Sequence, residues 1–340
     1  MSEDNSPHVI TLGTAGGPRW WRYREQKVRA GISTAVVVGD AVYMIDCGYG
    51  SGRQLVEAGH SLDAVQAVFL THLHSDHIAD LASIAMFSTF EITDEARGPI
   101  TLIGPGDRGV LPLVSPHAKT SPKPISEHSP TPGTVETFTR LVEANATDLN
   151  ERILDSLRPS PLDMFQAQDI VLPEKIDFDP NENPAPQMDP FVVYEDSRVR
   201  VSAILVEHPP MAPACGYRFD TDDGAVVVSG DTAFTPNLIT LAAGADLLLH
   251  EAIDLDWLTT KFPDPTSARA RAIRSHHERS HTSISDALAV ARAAGVGRLA
   301  LHHLVPGTSG PSLERQLADE ASLNTVVPDD LEILPFGRRV

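Results

Sequence analysis

The run Val68-Phe69-Leu70-Thr71-His72-Leu73-His74-Ser75-Asp76-His77 constrains this chain more than any other feature: an apolar segment ends and four ligand-type side chains follow within six residues. The apolar part reads as a buried strand and Ile78 to Phe87 as a helix, so the polar cluster falls where a strand hands over to a helix. His72 and His74, two apart on extended backbone, project to the same side. Asp76 and His77 lie past the turn and point elsewhere, toward a second centre about 3.5–4 Å from the first in a two-metal site. Imidazole with carboxylate suits zinc, manganese or iron rather than calcium. The competing reading is a polar loop that happens to be rich in histidine.

Around this run the first hundred residues alternate short strands and turns: His8 to Leu12, Ser33 to Val38, Val42 to Ile45 and Ala67 to Leu70, with Gly39-Asp40 as a hairpin turn. A helix follows Gly50 and stops at Gly59, and Ile100 to Ile103 is a further strand. Thirteen of the 27 prolines fall between 111 and 190, with a helix-like stretch from Val135 to Leu157 among them. Proline is excluded from central strands, so an insertion of loops and one helix is expected at 111–190 within a single domain spanning 1–340. Strands resume at Phe191 to Tyr194, Val199 to Val206, Ala225 to Val228, Leu247 to Leu249 and Arg298 to Leu301, with helices near Asn237 to Ala243 and Ser283 to Ala294. Short buried strands separated by helices predict sheets covered by helices on their outer faces.

The formal charge is −19, and from 111 to 198 seven Lys or Arg stand against fifteen Asp or Glu, a net of −8. Such a surface is expected to repel phosphate backbones. Two cysteines, Cys47 and Cys215, lie apart and outside any CxxC pair, as buried thiols would. No apolar run approaches the roughly 18 residues that span a bilayer, and the N-terminal stretch has no basic-then-apolar signal pattern, so a cytoplasmic protein without membrane contact is expected.

Thr71-His72-Leu73-His74-Ser75-Asp76-His77 resembles the signature of the metallo-β-lactamase superfamily, and the likeness runs from Leu12-Gly13-Thr14 to about His303. It implies an α/β fold, an αββα sandwich with metals at one edge, here with the Pro-rich acidic insertion added. Asp46, in Met44-Ile45-Asp46-Cys47-Gly48, matches a carboxylate that supports the ligand loop. His208, ahead of Cys215-Gly216-Tyr217-Arg218, resembles the third motif of the ribonuclease Z branch; read alone, a histidine before two prolines is a loop residue. Asp231, after Val228-Ser229-Gly230, is assigned the carboxylate shared by two cations, where a turn or helix-capping Asp is the plainer reading. His303 rather than His302 matches the final ligand position. Leu249-His250-Glu251-Ala252 and His281-Thr282-Ser283 resemble that branch's His-Glu-Ala and His-Ser-Thr motifs, the triplet order differing here, and imply that Glu251 orients His281 as a proton donor.

The resemblance thus implies a binuclear metal-dependent hydrolase with two divalent ions, zinc first and manganese or iron as alternatives. His72, His74 and His208 would hold one ion and Asp76, His77 and His303 the other, with Asp231 shared; Asp76, Glu251 and His281 are the catalytic candidates. Bond type stays open among phosphodiester, sulfate ester, carboxylic ester and lactone. Because the insertion is acidic and Pro-rich where ribonuclease Z enzymes carry a basic arm, the expected partner is a small-molecule substrate, with nucleic acid disfavoured and a homodimer allowed. Transfer RNA 3′-processing and a non-hydrolytic or di-iron redox role are the alternatives. The loop Gly16-Gly17-Pro18-Arg19-Trp20-Trp21-Arg22, basic and aromatic, supplies Trp20, Trp21 and Arg22 as substrate-binding candidates.

Overall fold

Val9 and Ile10 are neighbours on one strand yet belong to different cores, because alternate side chains leave opposite faces of a sheet. The computed structural model describes residues 6–23, 27–94, 97–263, 266–308, 313, 316–317 and 323–337. One seven-stranded sheet runs in the order Ile333–Pro335, His8–Gly13, Ser33–Val38, Ala41–Ile45, Val65–Phe69, Ile100–Pro105, Phe165–Ile170. The other runs Thr325–Val326, Arg298–Val305, Leu247–Ile253, Ala225–Val228, Cys215–Asp220, Arg200–Leu205, Phe191–Glu195. Each sheet has an antiparallel part and a parallel part; the parallel strands include Ala41–Ile45 beside Val65–Phe69 and Ala225–Val228 beside Leu247–Ile253.

Val9, Val36, Tyr43 and Phe69 from the first sheet meet Tyr217, Phe219, Leu247 and Leu249 from the second in a core between the sheets. On the outer face of the first sheet, Ile10, Val37 and Val68 pack with Leu55, Leu81 and Phe138 of helices Ser51–Glu57, Leu81–Glu91 and Thr134–Glu143. On the outer face of the second, Val227, Leu248 and Leu301 pack with Leu238 and Leu288 of helices Pro236–Ala242 and Ile284–Ala294. Three apolar layers between four layers of structure make the expected αββα sandwich. Cys47 and Cys215 are buried free thiols. Among the described residues no helix is long and apolar enough to cross a membrane.

The segment 111–190 corrects one expectation. It contributes three helices, Thr134–Glu143, Ala146–Asp155 and the short Pro161–Met164, and also the strand Phe165–Ile170, which pairs in parallel with Ile100–Pro105 at the sheet edge. The prolines nearest this strand, Pro161 and Pro173, flank it. Regional proline density says nothing about a six-residue window that contains none, so the exclusion of a strand does not follow.

The C-terminal segment closes the fold. Ile333–Pro335 pairs antiparallel with His8–Gly13, and the Asp330 carboxylate accepts from Thr14 N at 3.0 Å, Thr14 Oγ1 at 2.7 Å and Ala30 N at 2.7 Å. The buried Arg29 guanidinium donates to Thr14 Oγ1 and to Asp329.

At the centre of the inter-sheet core Phe69 is fully buried, its ring 5.2 Å from Phe219, 5.5 Å from Tyr217 and 5.6 Å from Tyr194. Phe69→Ala is expected to destabilise the fold by about 3–5 kcal/mol, read as a lower denaturant midpoint at unchanged slope. A loss under about 1 kcal/mol would mean that the two sheets are not packed through this ring.

Candidate metal centre

Strand ends bring the polar cluster together. Val65–Phe69 runs out toward His72, Ala41–Ile45 toward Asp46, Arg200–Leu205 toward His208 and Ala225–Val228 toward Asp231, while His303 lies near the end of Arg298–Val305. The carboxyl edge of parallel strands is where an open sheet leaves a crevice. Two backbone requirements are met by glycine. Gly230 has φ 61°, and a Cβ there would stand 2.7 Å from the Cys215 carbonyl oxygen; a Cβ on Gly16 would stand 2.6 Å from His303 Nδ1. Asp46 (φ 60°) and His303 (φ 45°) adopt the left-handed region without being glycine, a cost that the surrounding structure sustains at both positions.

The side chains form two groups. His72, His74, His208 and Asp231 place one ligand atom each within 4.8 Å of one another, and so do Asp76, His77, Asp231 and His303. In the first group His74 Nδ1 lies 2.9 Å from His72 Nε2 and 3.2 Å from His208 Nε2, and Asp231 Oδ2 is 3.9 Å and 3.8 Å from those two imidazoles. In the second, Asp231 Oδ1 is 3.4 Å from His77 Nε2 and 3.2 Å from His303 Nε2, and Asp76 Oδ2 is 3.6 Å and 3.4 Å from the same atoms. Each carboxylate oxygen of Asp231 therefore faces a different group. A tetrahedral cation held at about 2.0–2.1 Å sets its ligand atoms about 3.3 Å apart, which these spacings bracket. His77 Nε2 and Asp231 Oδ1 are buried with no hydrogen-bond partner among the described residues, as atoms reserved for a cation would be. The donor set, imidazole nitrogens with carboxylate oxygens, fits divalent metal ions.

The second nitrogens of the imidazoles are held in turn. His77 Nδ1 lies 2.8 Å from Asp46 Oδ2, His208 Nδ1 lies 2.7 Å from the Ser280 carbonyl oxygen, and His72 Nδ1 lies 3.1 Å from Thr71 Oγ1. Thr71 donates its backbone N–H and its hydroxyl to Asp46, so one carboxylate fixes both the loop and a ring. Gly17 N donates to Asp76 Oδ2 at 2.9 Å. Burial holds His72 and His208 well below the ordinary imidazole range, which keeps them neutral and able to ligate. For His77 burial acts the same way, but the facing carboxylates of Asp231, Asp46 and Asp76 outweigh it and raise the ring.

Beside the two groups, His281 Nδ1 lies 3.0 Å and 3.2 Å from the carboxylate oxygens of the fully buried Glu251, which also accepts from Thr232 N. Burial lowers the His281 ring, yet Glu251 more than compensates and lifts it to about 9. His302 is buried next to His303, belongs to neither group, and is pushed down to about 3 by burial. Of the three loop candidates, only Trp21 reaches the site. With Gly17, Arg19, Trp257, His276 and His277 it lines a cavity of about 310 Å³ that opens onto Asp76, Asp231 and His281. Trp20 is 74% exposed and packs edge-on against Tyr49 on another face, and Arg22 is exposed in a two-stranded turn pairing with Val28. His276 and His277, on helix Ala268–Ser280, were not among the sequence candidates; the signal was their adjacency a few residues ahead of His281.

Asp46→Asn keeps the shape of the side chain and removes the charge behind His77. It is expected to weaken metal affinity by about 10- to 100-fold, as measured by chelator competition. Unchanged affinity would show that Asp46 only braces the loop.

Residues 28–85 match the family model described as Metallo-beta-lactamase superfamily, and residues 157–304 match that of the Beta-lactamase superfamily domain. A Ribonuclease Z of Mycobacterium marinum is 31% identical over 281 residues, 82% of this chain and 81% of the relative. One from Mycobacterium sp. (strain KMS) is 30% identical over 309 residues, 90% and 87% of the two chains. The crystal structure of human tRNase Z, short form, superposes with a TM-score of 0.61 at 16% identity, covering 97% of this chain and 100% of the other, and shares its fold. These relatives, named for cutting RNA, correct the expectation of a small-molecule substrate with nucleic acid disfavoured. A net charge summed over 340 residues averages over the surface, whereas a phosphate responds to the cations within a Debye length of it. The enzyme class follows from the same relatives: a metal-dependent hydrolase. The chain belongs to the metallo-β-lactamase superfamily, in its ribonuclease Z-like branch.

Proposed function

We propose that this protein is a ribonuclease Z-type phosphodiesterase that cuts precursor transfer RNA on its 3′ side. The observation that carries the reading is Asp231, whose two oxygens face two separate histidine groups with the Glu251–His281 pair alongside. The curated relatives over more than four fifths of the chain favour RNA as the substrate. His72, His74 and His208 would hold one ion and Asp76, His77 and His303 the other, with Asp231 available to both; zinc is the ion these donors suit best. When bound, two such ions would lower the pKa of a water and offset charge growing at the attacked phosphorus.

The chain's own residues do the rest. Asp76, whose Oδ2 accepts from the Gly17 N–H, would serve as a ligand to the second ion and orient the attacking water. Glu251 occupies Nδ1 of His281, which leaves Nε2 to protonate the departing oxygen. Trp21 and Arg19 border the entrance, the guanidinium 5.5 Å from the indole centre, and offer a ring and a cation to the RNA strand.

Incubation of the metal-loaded protein with a precursor transfer RNA is expected to give one cut at the 3′ side. A preparation with two equivalents of metal that turns over bis(p-nitrophenyl) phosphate but leaves the precursor intact would overturn the assignment of substrate.

His281→Ala is expected to keep both metals and to slow turnover by about 10²- to 10⁴-fold on poor leaving groups, with little effect on nitrophenolate. The acid must be protonated to act, so the wild-type rate falls as pH rises through the His281 value of about 9. Glu251→Gln removes the raising charge and shifts that fall toward about 6.5, the ordinary histidine value. Rates across a leaving-group series and a pH profile read both effects; equal slowing of every leaving group would refute the relay.

A further inference from the structure

Two histidines of the cavity that opens onto Asp76, Asp231 and His281, namely His276 and His277, have no part in the mechanism above. Their hydrogen-bond partners fix which nitrogen of each neutral ring carries the hydrogen. His277 Nδ1 lies 2.9 Å from the Ile273 carbonyl oxygen, one turn back on helix Ala268–Ser280. A carbonyl oxygen only accepts, so Nδ1 donates and Nε2, on the far side of the ring, keeps its lone pair. That nitrogen is offered no donor by a described residue and is not among the polar atoms closed off from solvent. Burial holds the ring below the ordinary histidine value, which favours this neutral form. His276 donates in the same way: Ser280 Oγ gives its own hydrogen to the Pro209 carbonyl oxygen and accepts from His276 Nδ1 at 3.2 Å. The His276 ring, however, stands against His74 and His208, at 6.5 Å and 6.4 Å, whereas the ring contacts of His277 among the described residues are with His276 and with His281, the latter at 5.8 Å.

Resting on the ribonuclease reading, we infer that His277 Nε2 accepts the 2′-hydroxyl of the ribose whose 3′-oxygen departs, so that the site selects ribose over deoxyribose. His281 delivers the proton to the departing oxygen, and the 2′-hydroxyl sits on the adjoining carbon of the same sugar. His277 and His281 line one cavity with their rings 5.8 Å apart, a spacing at which neighbouring oxygens of one sugar reach one imidazole each. The carboxylates nearby are engaged otherwise: Asp76 and Asp231 face the histidine groups, and Glu251 accepts from His281 and Thr232. Arg19, Trp21 and Trp257, on the same walls, bring side-chain donors only. A deoxyribose would leave the lone pair of Nε2 without a partner inside a half-buried cavity, and that loss is the source of the discrimination. The 2′-hydroxyl is the group by which a protein tells RNA from DNA at a given position.

The test is calorimetric titration of the whole, metal-loaded chain with adenosine 3′-monophosphate and with 2′-deoxyadenosine 3′-monophosphate, which differ in that hydroxyl alone. Wild type is expected to bind the ribonucleotide about tenfold more tightly. His277→Phe keeps a ring and removes the acceptor, and is expected to bring the two affinities together by weakening the ribonucleotide. His277→Gln, whose amide oxygen takes the place of Nε2, is expected to keep the preference. Equal affinities in wild type, no binding of either nucleotide, or a preference that survives in His277→Phe would overturn the inference. A residue that only supports the fold would weaken both nucleotides alike in His277→Phe and leave their ratio intact, and that outcome too counts against it. Failure of wild type to cut precursor transfer RNA would instead strike the functional reading, while the titrations would still decide the hydroxyl.

Discussion

One buried carboxylate organises this molecule. Asp231 turns Oδ2 toward His72 and His208 and Oδ1 toward His77 and His303, and to do so it must leave its strand through the left-handed turn at Gly230. Charge of this kind is tolerated inside a protein only where opposite charge or donors surround it. The imidazoles hold Asp231 far below the usual carboxylate range against the opposing effect of burial. Both sheets contribute to that surround, since His72 and His77 follow a strand of the first and His208 and His303 belong to the second. The sandwich is therefore closed at this edge by polar groups, in contrast to the apolar layer that joins the sheets elsewhere.

Much of this was legible in the sequence, for identifiable reasons. The candidate ligands His72, His74, Asp76 and His77 sit on a local pattern, strand then turn then helix, whose geometry is set within ten residues. Glu251 and His281 were legible only through resemblance, because their pairing depends on where Leu247–Ile253 and the end of helix Ala268–Ser280 meet. Trp20, Trp21 and Arg22 show the limit of local reading: adjacent residues on an extended loop diverge, and nothing in the chain says which of them faces inward. Arg108 and Asp330 were not legible at all, because each takes its meaning from a partner far along the chain, Pro180 and Asn181 for the first, Thr14 and Ala30 for the second.

Charge gave the most misleading signal. An excess of acidic residues spread over a surface governs solubility and long-range approach. It says less about a crevice where Arg19 and Arg108 each line a cavity that reaches His74. The acidic segment lines part of that crevice mainly with prolines and other apolar side chains, so its net charge and its contact surface are different properties.

The pairing of Ile333–Pro335 with His8–Gly13 has a consequence for synthesis. The loop that reaches Asp76 through Gly17 begins at Thr14, and Thr14 is secured by Asp330. While the polypeptide is still emerging from the ribosome, the first strand has only Ser33–Val38 beside it, and its other edge stays open until some three hundred residues later. Such long-range closure is slow compared with local helix and hairpin formation. The last members of the histidine cluster and the clamp on the loop over it thus both wait for the final strands, Arg298–Val305 and Ile333–Pro335, to join their sheets.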